Sequence, residues 1–466
     1  MKTYAPVTEA VLDALKTIVG AEYVLTEPEK LEQYQTDEET DPRKFHLPEA
    51  VVLPKDAQEI AAVIKLANTY DVPVTVRSGG TSLAGGAIPV CGGIVLLMER
   101  LNKIIELNAE GMYMEVEAGV RTVDIQKYAN EAGFLYAGAP CSAESCLIGG
   151  NIATNAGGNK AVRYGVTRDQ VYAVEVVTPT GEIVELGARL KKKSTGYCLE
   201  QLIMGSEGTL GIITKATLKL QPIPPYRFDL LAVFGDPEQA LDVVPKIMQA
   251  GINPTSVEYM DNSYVRGTAD YLEFKGAPHY ENGIYVIITV ETFSEDELDL
   301  KMEQLDELCS AAGAVDVLEA DERIWDMRRN CQESVRLISL VSLTDDVVVP
   351  VNEIAGTIKF IMKIGEKYPF PVKINAHIGD GNLHIVLCKC ELSDEEWENK
   401  VEAFHKEVYT YAYSIGGRLA GEHGIGAKKL REMETYTPAG ELAIMRTIKA
   451  AMDPQLILNP GKIFDL

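Results

Sequence analysis

The chain of 466 residues reads as an α+β protein with two folded domains and a C-terminal segment that returns to the first. Three observations carry this reading. Helical and strand periodicities alternate through the first third. Gln221-Pro222-Ile223-Pro224-Pro225 can be neither helix nor central strand, because each proline lacks an amide donor and has a fixed φ, so a domain boundary falls there. Beyond it, helical patterns at 237–250 and 295–312 alternate with strands such as 283–290, which suits helices on one face of a mostly antiparallel sheet. The expected domains are 1–221 and 222–425, with 426–466 as the returning segment.

Taken in order, 7–19 has helical spacing, and Asp56-Ala57-Gln58-Glu59 is a capping box opening a helix that runs to about Tyr70. Pro73-Val74-Thr75-Val76-Arg77 is a strand, and 92–97 and 112–116 are two more. A helix over 122–132 stops at Gly133. Three glycine-rich tracts punctuate this region at 78–86, 149–159 and 205–211, the last running into a β-branched strand at 212–214.

Composition excludes several classes of function. Lys and Arg total 44 against 69 Asp and Glu, a net charge of −25, which repels nucleic acid and anionic lipid alike. No apolar run approaches the ~18 residues of a bilayer span. Glu9, Asp13 and Lys16 occupy what would be the apolar core of a signal peptide, so none is expected. Eight scattered cysteines form no disulfide framework, and Cys141/Cys146 and Cys388/Cys390 lack zinc or iron–sulfur spacing. They read as thiols in a reducing cytoplasm.

Paired glycines let backbone amides approach a phosphate closely. Three such tracts point to one extended, phosphate-bearing ligand, although any single pair could serve a tight turn alone. No G-x-G-x-x-G follows a strand and opens a helix, and no G-x-x-x-x-G-K-[ST] occurs, so the common dinucleotide and mononucleotide loops do not fit.

Residues 73–86, Gly149-Gly150-Asn151-Ile152-Ala153-Thr154-Asn155-Ala156-Gly157-Gly158 and Gly205-Ser206-Glu207-Gly208-Thr209-Leu210-Gly211-Ile212 resemble the FAD-binding signature of the vanillyl-alcohol-oxidase/p-cresol-methylhydroxylase type. The remainder, to Asn459-Pro460-Gly461-Lys462, resembles the C-terminal half of FAD-linked 2-hydroxy-acid dehydrogenases, which include D-lactate dehydrogenases, the glycolate oxidase D subunit and D-2-hydroxyglutarate dehydrogenase. The resemblance implies a p-cresol-methylhydroxylase-type FAD-binding domain followed by an α+β substrate (cap) domain. It implies that Arg77, Ser78, Gly79, Gly80, Thr81, Ser82 and Gly85 cradle the FAD pyrophosphate. Further contacts are implied from Pro140, Gly149, Gly150, Asn155, Gly157, Gly158, Gly165, Glu207, Gly211, Ile212 and Asn459. Relatives with covalent flavin often carry a histidine in the first loop; Thr81 stands here, so non-covalent FAD is expected.

Three of the six histidines fall in His377-Ile378-Gly379-Asp380-Gly381-Asn382-Leu383-His384 and Gly421-Glu422-His423-Gly424. The first reads as a hairpin. A turn centred on Asp380-Gly381 sets His377 directly opposite His384, with Cβ atoms ~5 Å apart on one face. Two imidazoles so placed could share one ion, or form a hydrogen-bonded pair without metal, and Glu422 could complete a two-histidine, one-carboxylate site. The resemblance to D-2-hydroxyglutarate dehydrogenase puts His377, His384 and Glu422 on metal-ligand positions and His423 on that of the catalytic base. Zinc, iron(II) and manganese all suit these ligands. His46, His279 and His405 read as surface or structural residues. Arg328 matches the family position that holds the substrate carboxylate; a plain helix-surface ion pair is the alternative, with Arg329 and Arg336 as rival anchors.

The family implies hydride transfer from C2 of a small D-2-hydroxy acid to FAD. Thr344, followed by Asp345 and Asp346, stands where the hydroxyglutarate branch tends to place a lysine, and two acids there would repel a second carboxylate, which favours lactate or glycolate. A non-redox transferase on the same fold and a silent FAD-binding subunit remain as rivals. With no iron–sulfur, haem or nicotinamide motif, electrons are expected to leave to an electron-transferring flavoprotein or another soluble redox protein.

Overall fold

The computed structural model describes residues 2–465. The chain forms two compact units. The first comprises the chain through Gly157, Gly165–Ile223 and the chain from Glu422 onward; the second comprises Gly158–Tyr164 and Pro224–Gly421. The first joint thus lies two residues beyond the expected 221/222, inside the same proline tract. The second lies at Gly421/Glu422 rather than 425/426, so Glu422 and His423 go with the first unit.

In the first unit, β1 (Val24–Leu25), β2 (Ala50–Val52), β3 (Val74–Arg77) and β4 (Ile94–Leu97) form a sheet of order β1-β2-β4-β3. Its β2–β4 and β3–β4 pairs are parallel, and β1–β2 is antiparallel. β5 (Ile104–Asn108), β6 (Tyr113–Glu117), β8 (Val171–Val177), β9 (Ile183–Gly187) and β10 (Ile212–Lys219) form an antiparallel sheet of order β5-β6-β10-β8-β9. Among the described residues β7 (Phe134–Leu135) pairs only with β11 (Gln221–Pro222), the short ladder that the proline tract permits. Helices Glu9–Val19 and Ala57–Tyr70 bury Leu15, Ile60 and Ile64 against both sheets in one core. Asp56 caps the second of these by accepting from Glu59 N at 2.9 Å, but the Glu59 carboxylate accepts from Lys55 N, not Asp56 N, so only half of the expected box closes. The C-terminal chain runs beside β3: Val74 N donates to Ile457 O and Asn459 N to Val74 O, each at 2.8 Å.

The second unit is built on one seven-stranded antiparallel sheet. β12 (Tyr226–Phe234), β13 (Ser256–Met260), β14 (Ile284–Thr292), β15 (Asp316–Glu319), β16 (Ser342–Val348), β17 (Val372–His377) and β18 (Asn382–Cys388) lie in the order β15-β12-β14-β13-β17-β18-β16. Helices cover both faces, not one. All nine residues of β14 are buried, and its run Ile284-Tyr285-Val286-Ile287-Ile288 has no polar alternation, the mark of a strand without a wet side. Tyr285 and Ile287 pack with Tyr264 and Trp325 from helices Asn262–Tyr271 and Glu322–Arg329. Helices Pro237–Gln249 and Glu295–Ala311 also lie against β12 and β14.

Among the described residues no helix is long and apolar enough to cross a membrane.

Candidate active site

The three glycine tracts meet in the first unit around a cavity of about 1240 Å³, counting its open mouth. The tracts are tied together by hydrogen bonds that each use a backbone group. Gly150 N donates to Ser78 Oγ at 3.1 Å, Glu207 N to Ala153 O at 2.7 Å, and Asn459 Nδ2 to Glu207 O at 2.7 Å. The cradle has no room for side chains behind it: a Cβ at Gly79 would lie 2.7 Å from Ser145 O, and one at Gly150 would lie 2.9 Å from the Ser78 side chain. Backbone therefore forms the wall, as a phosphate-bearing cofactor requires. These residues fit FAD.

Of the expected cofactor residues, Ser78, Gly79, Gly80, Thr81, Ser82, Pro140, Gly149, Gly150, Glu207, Gly211, Ile212 and Asn459 line the cavity. Arg77, Gly85, Asn155, Gly157, Gly158 and Gly165 do not. Arg77 turns its guanidinium behind the loop, donating to Thr36 O at 2.6 Å. Gly85 and Gly165 take φ of 75° and 80°, which serves turns. Asn155 ends helix Ile148–Thr154 in the left-handed region at φ 53°, where its side chain accepts from Arg168 N. Gly157 leaves room for Glu422, since a Cβ there would lie 2.8 Å from that carboxylate. Gly158 belongs to the second unit. Sequence reading missed Cys141, Cys146, Asn151 and Gly208, which also face the cavity; Asn151 sits inside the second tract, so position there was the available signal.

Glu422 and His423 stand in the same cavity wall, with His423 Nε2 3.7 Å from Glu422 Oε1. The loop that carries them is held by Glu207, whose carboxylate accepts from Ile425 N at 2.8 Å and Gly426 N at 2.7 Å. Burial pushes the Glu207 carboxyl above the ordinary range, against the pull of these two amides. Its φ of 50° is uncommon for a residue with a Cβ and is stabilised by the bonds at both its ends.

The histidine hairpin lies in the second unit with a different register from the one expected. His377 pairs with Asn382, and His384 with Asn375, because the four-residue turn, 378–381, centres on Gly379-Asp380 and not on Asp380-Gly381. Gly381 at φ 92° closes it, and Asp380 Oδ1 accepts from Asn382 N. The shift is two residues, so face parity survives. The rings sit diagonally on one face, with centroids 5.2 Å apart and planes at 86°, and a ring nitrogen of each lies within 4.8 Å of the other. Each imidazole is held at Nδ1: His377 at 2.8 Å by Glu258 Oε1, and His384 at 3.2 Å by Asn375 Oδ1. An oxygen on Nδ1 is what fixes Nε2 as a metal donor, so this pair fits a divalent ion.

Arg328 is buried, not on a helix surface, and its Nε donates to Glu258 Oε2 at 2.8 Å. Arg329 and Arg336 are about half exposed and bound to helix acids. Glu258 is the residue the sequence reading overlooked. Burial alone would raise its carboxyl, but His377 and Arg328 hold it below the usual range. Strand alternation separates the two acids expected to act together: Asp345 lies 3.4 Å from His405 Nε2, whereas Asp346 is the cross-strand partner of His384 and accepts from Gly421 N. His405 is accordingly a buried structural histidine, while His46 and His279 are exposed.

Two family models match the sequence. "FAD linked oxidases, C-terminal domain" covers residues 223–463, and "FAD binding domain" covers 48–187. A D-lactate dehydrogenase of Anaerostipes hadrus is 37% identical over 472 residues, spanning 99% of this chain and 98% of its own. The glycolate oxidase subunit GlcD of Bacillus subtilis is 35% identical over 91% and 90% of the two chains. The D-2-hydroxyglutarate dehydrogenase of Stutzerimonas stutzeri is 31% identical over 98% and 99%. Among solved structures, p-cresol methylhydroxylase with substrate bound superposes at a TM-score of 0.82 and 18% identity over 99% of both chains. An alkyldihydroxyacetonephosphate synthase does so at 0.77 and 18%, over 99% of this chain and 87% of its own. At these identities the structural likeness speaks for the fold alone.

Proposed function

The chain belongs to the FAD-linked oxidoreductase family of the D-lactate, glycolate and D-2-hydroxyglutarate dehydrogenases, and on that premise we propose that it oxidises a small D-2-hydroxy acid, D-lactate first, to the 2-oxo acid. The observation that carries this reading is the first unit's cavity, where a histidine and a carboxylate share a wall with the glycine cradle.

The 78–82 loop, Gly149, Gly150, Glu207, Gly211, Ile212 and Asn459 would hold FAD non-covalently, and the flavin would supply the two-electron acceptor for the C2 hydride. His423 takes the proton from the substrate hydroxyl oxygen onto its imidazole. Arg328 meets the substrate carboxylate with its planar guanidinium. His377 and His384 would hold one divalent ion, zinc, iron(II) or manganese, which would supply Lewis-acid stabilisation of negative charge. The third ligand of the expected set, Glu422, is carried by the first unit; within the second unit the acid beside His384 is Asp346. Atoms balance: the hydroxy acid loses a proton and a hydride.

Lactate is favoured over a diacid because the strand that bears Thr344 and Asp346 offers an acid and no lysine to a second carboxylate. Electrons pass to a protein acceptor, an electron-transferring flavoprotein in the first place. The eight free cysteines support a cytoplasmic setting.

Anaerobic titration of the bound flavin with D-lactate, L-lactate, glycolate and D-2-hydroxyglutarate tests the reading. Bleaching is expected with D-lactate at the lowest concentration. A flavin that no hydroxy acid reduces would return the transferase and silent-subunit alternatives.

A further inference from the structure

We infer that Glu258 is a positioning residue that orients two working groups at once: the His377 imidazole for its metal and the Arg328 guanidinium for the substrate carboxylate. The inference rests on the proposed function for what those two groups do, and on the second unit alone for its geometry.

Glu258 sits on β13 directly across from His377 on β17, and Arg328 reaches it from helix Glu322–Arg329. Glu258, His377 and Arg328 are 1%, 2% and 6% exposed. The two carboxylate oxygens divide the work: Oε1 lies 2.8 Å from His377 Nδ1, while Oε2 lies 2.8 Å from Arg328 Nε and 2.7 Å from one Nη. A buried ion pair whose purpose was packing alone would need one partner for each charge, and such pairs are often replaceable by apolar residues without loss of stability. Here one anion serves two donors on different elements.

The consequence for His377 is chemical. With a carboxylate on Nδ1, the proton stays at Nδ1 and the Nε2 lone pair is offered to an ion; the anion also makes the ring a stronger donor. At His384 Nδ1 that role falls to the neutral Asn375 amide, at 3.2 Å. Of the two histidines, His377 is therefore the one whose donor strength depends most on its support. For Arg328, the hydrogen bond at Nε, with one Nη 2.7 Å from the same oxygen, fixes the plane in which the guanidinium can meet a planar carboxylate.

Glu258→Gln tests the division of labour, because an amide keeps an acceptor at only one of the two positions from which the carboxylate oxygens serve their donors. Two binding constants are read on the FAD-loaded protein stripped of metal: Zn(II) by competition with a chromophoric chelator, and oxalate by isothermal titration calorimetry. At least one is expected to weaken by about 10–100-fold, the usual effect of removing an outer-shell partner. A second variant, Glu258→Leu with Arg328→Met, removes both charges and leaves no uncompensated ion. It is expected to unfold cooperatively like the parent yet bind Zn(II) about 10–100-fold more weakly. Parental affinities for both ligands in Glu258→Gln, or parental Zn(II) affinity in the double variant, overturn the positioning role. A parent chain that takes up no Zn(II), Mn(II) or Fe(II) overturns the metal reading itself and the inference with it, and this outcome is distinct because it precedes any substitution.

Discussion

His423 is the histidine that lines the glycine-walled cavity, and the proposed function gives the substrate proton to it and not to His377 or His384, whose Nδ1 atoms are bonded to Glu258 and Asn375. His423→Asn should slow flavin reduction by D-lactate ~10²–10⁴-fold in stopped-flow absorbance, the usual contribution of a positioned base. A rate within threefold of the parent removes His423 from the mechanism. Arg328→Lys should chiefly raise KM, since an ammonium cannot make the two parallel bonds of a guanidinium; a change confined to kcat would argue against the anchor. Thr81, not a histidine, stands in the first loop, and backbone amides hold a pyrophosphate reversibly. Acid precipitation should therefore leave all the yellow colour in the supernatant, and colour in the washed pellet would reveal a covalent flavin.

The hairpin β17–β18 is the element on which the metal reading depends, and its turn is the weak point. Gly381 combines φ of 92° with a position where a Cβ would collide with Val349 O, whereas Gly416 has a similar φ of 88° and its nearest neighbour is Pro350 Cγ at 3.7 Å. Gly416→Ala should cost about 1 kcal/mol in denaturant unfolding, the strain of the left-handed region alone. Gly381→Ala should cost about 2 kcal/mol or more, because the collision adds to that strain. Equal costs would mean that the turn rearranges freely. Because the hairpin lies outside the glycine tracts, chelation or His377→Ala should abolish turnover and leave the flavin spectrum unchanged. A metal-free chain that keeps full activity, with its metal content checked by elemental analysis, would reduce the histidines to a structural pair.

For the whole molecule the question is where electrons go. The sequence holds no nicotinamide fingerprint and no iron–sulfur or haem motif. Isolated protein given D-lactate and NAD⁺ should make no NADH, and a cognate electron-transferring flavoprotein should restore acceptor reduction. Rapid NADH formation by the chain alone would overturn this.

Patterns that close within about a dozen residues were legible in the sequence by itself. The helices after Thr8 and Asp56, the proline joint near 223, the glycine tracts and the existence of a histidine hairpin all follow from local periodicity and from residues with special backbone freedom. The family, too, could be recognised there, because its motifs are contiguous. Tertiary structure decided what depends on distant partners. Two helical layers, not one, cover the second sheet, since a strand's second face is fixed by whatever packs on it. The hairpin register lies two residues from the one expected, with Gly381 packed against Val349, outside the motif. Glycines with identical local context divided into cavity wall and turn, according to what lay behind each. Glu258 stayed hidden for the plainest reason: it lies 119 residues from His377 and 70 from Arg328, and only the sheet and helix that carry them bring one carboxylate to both.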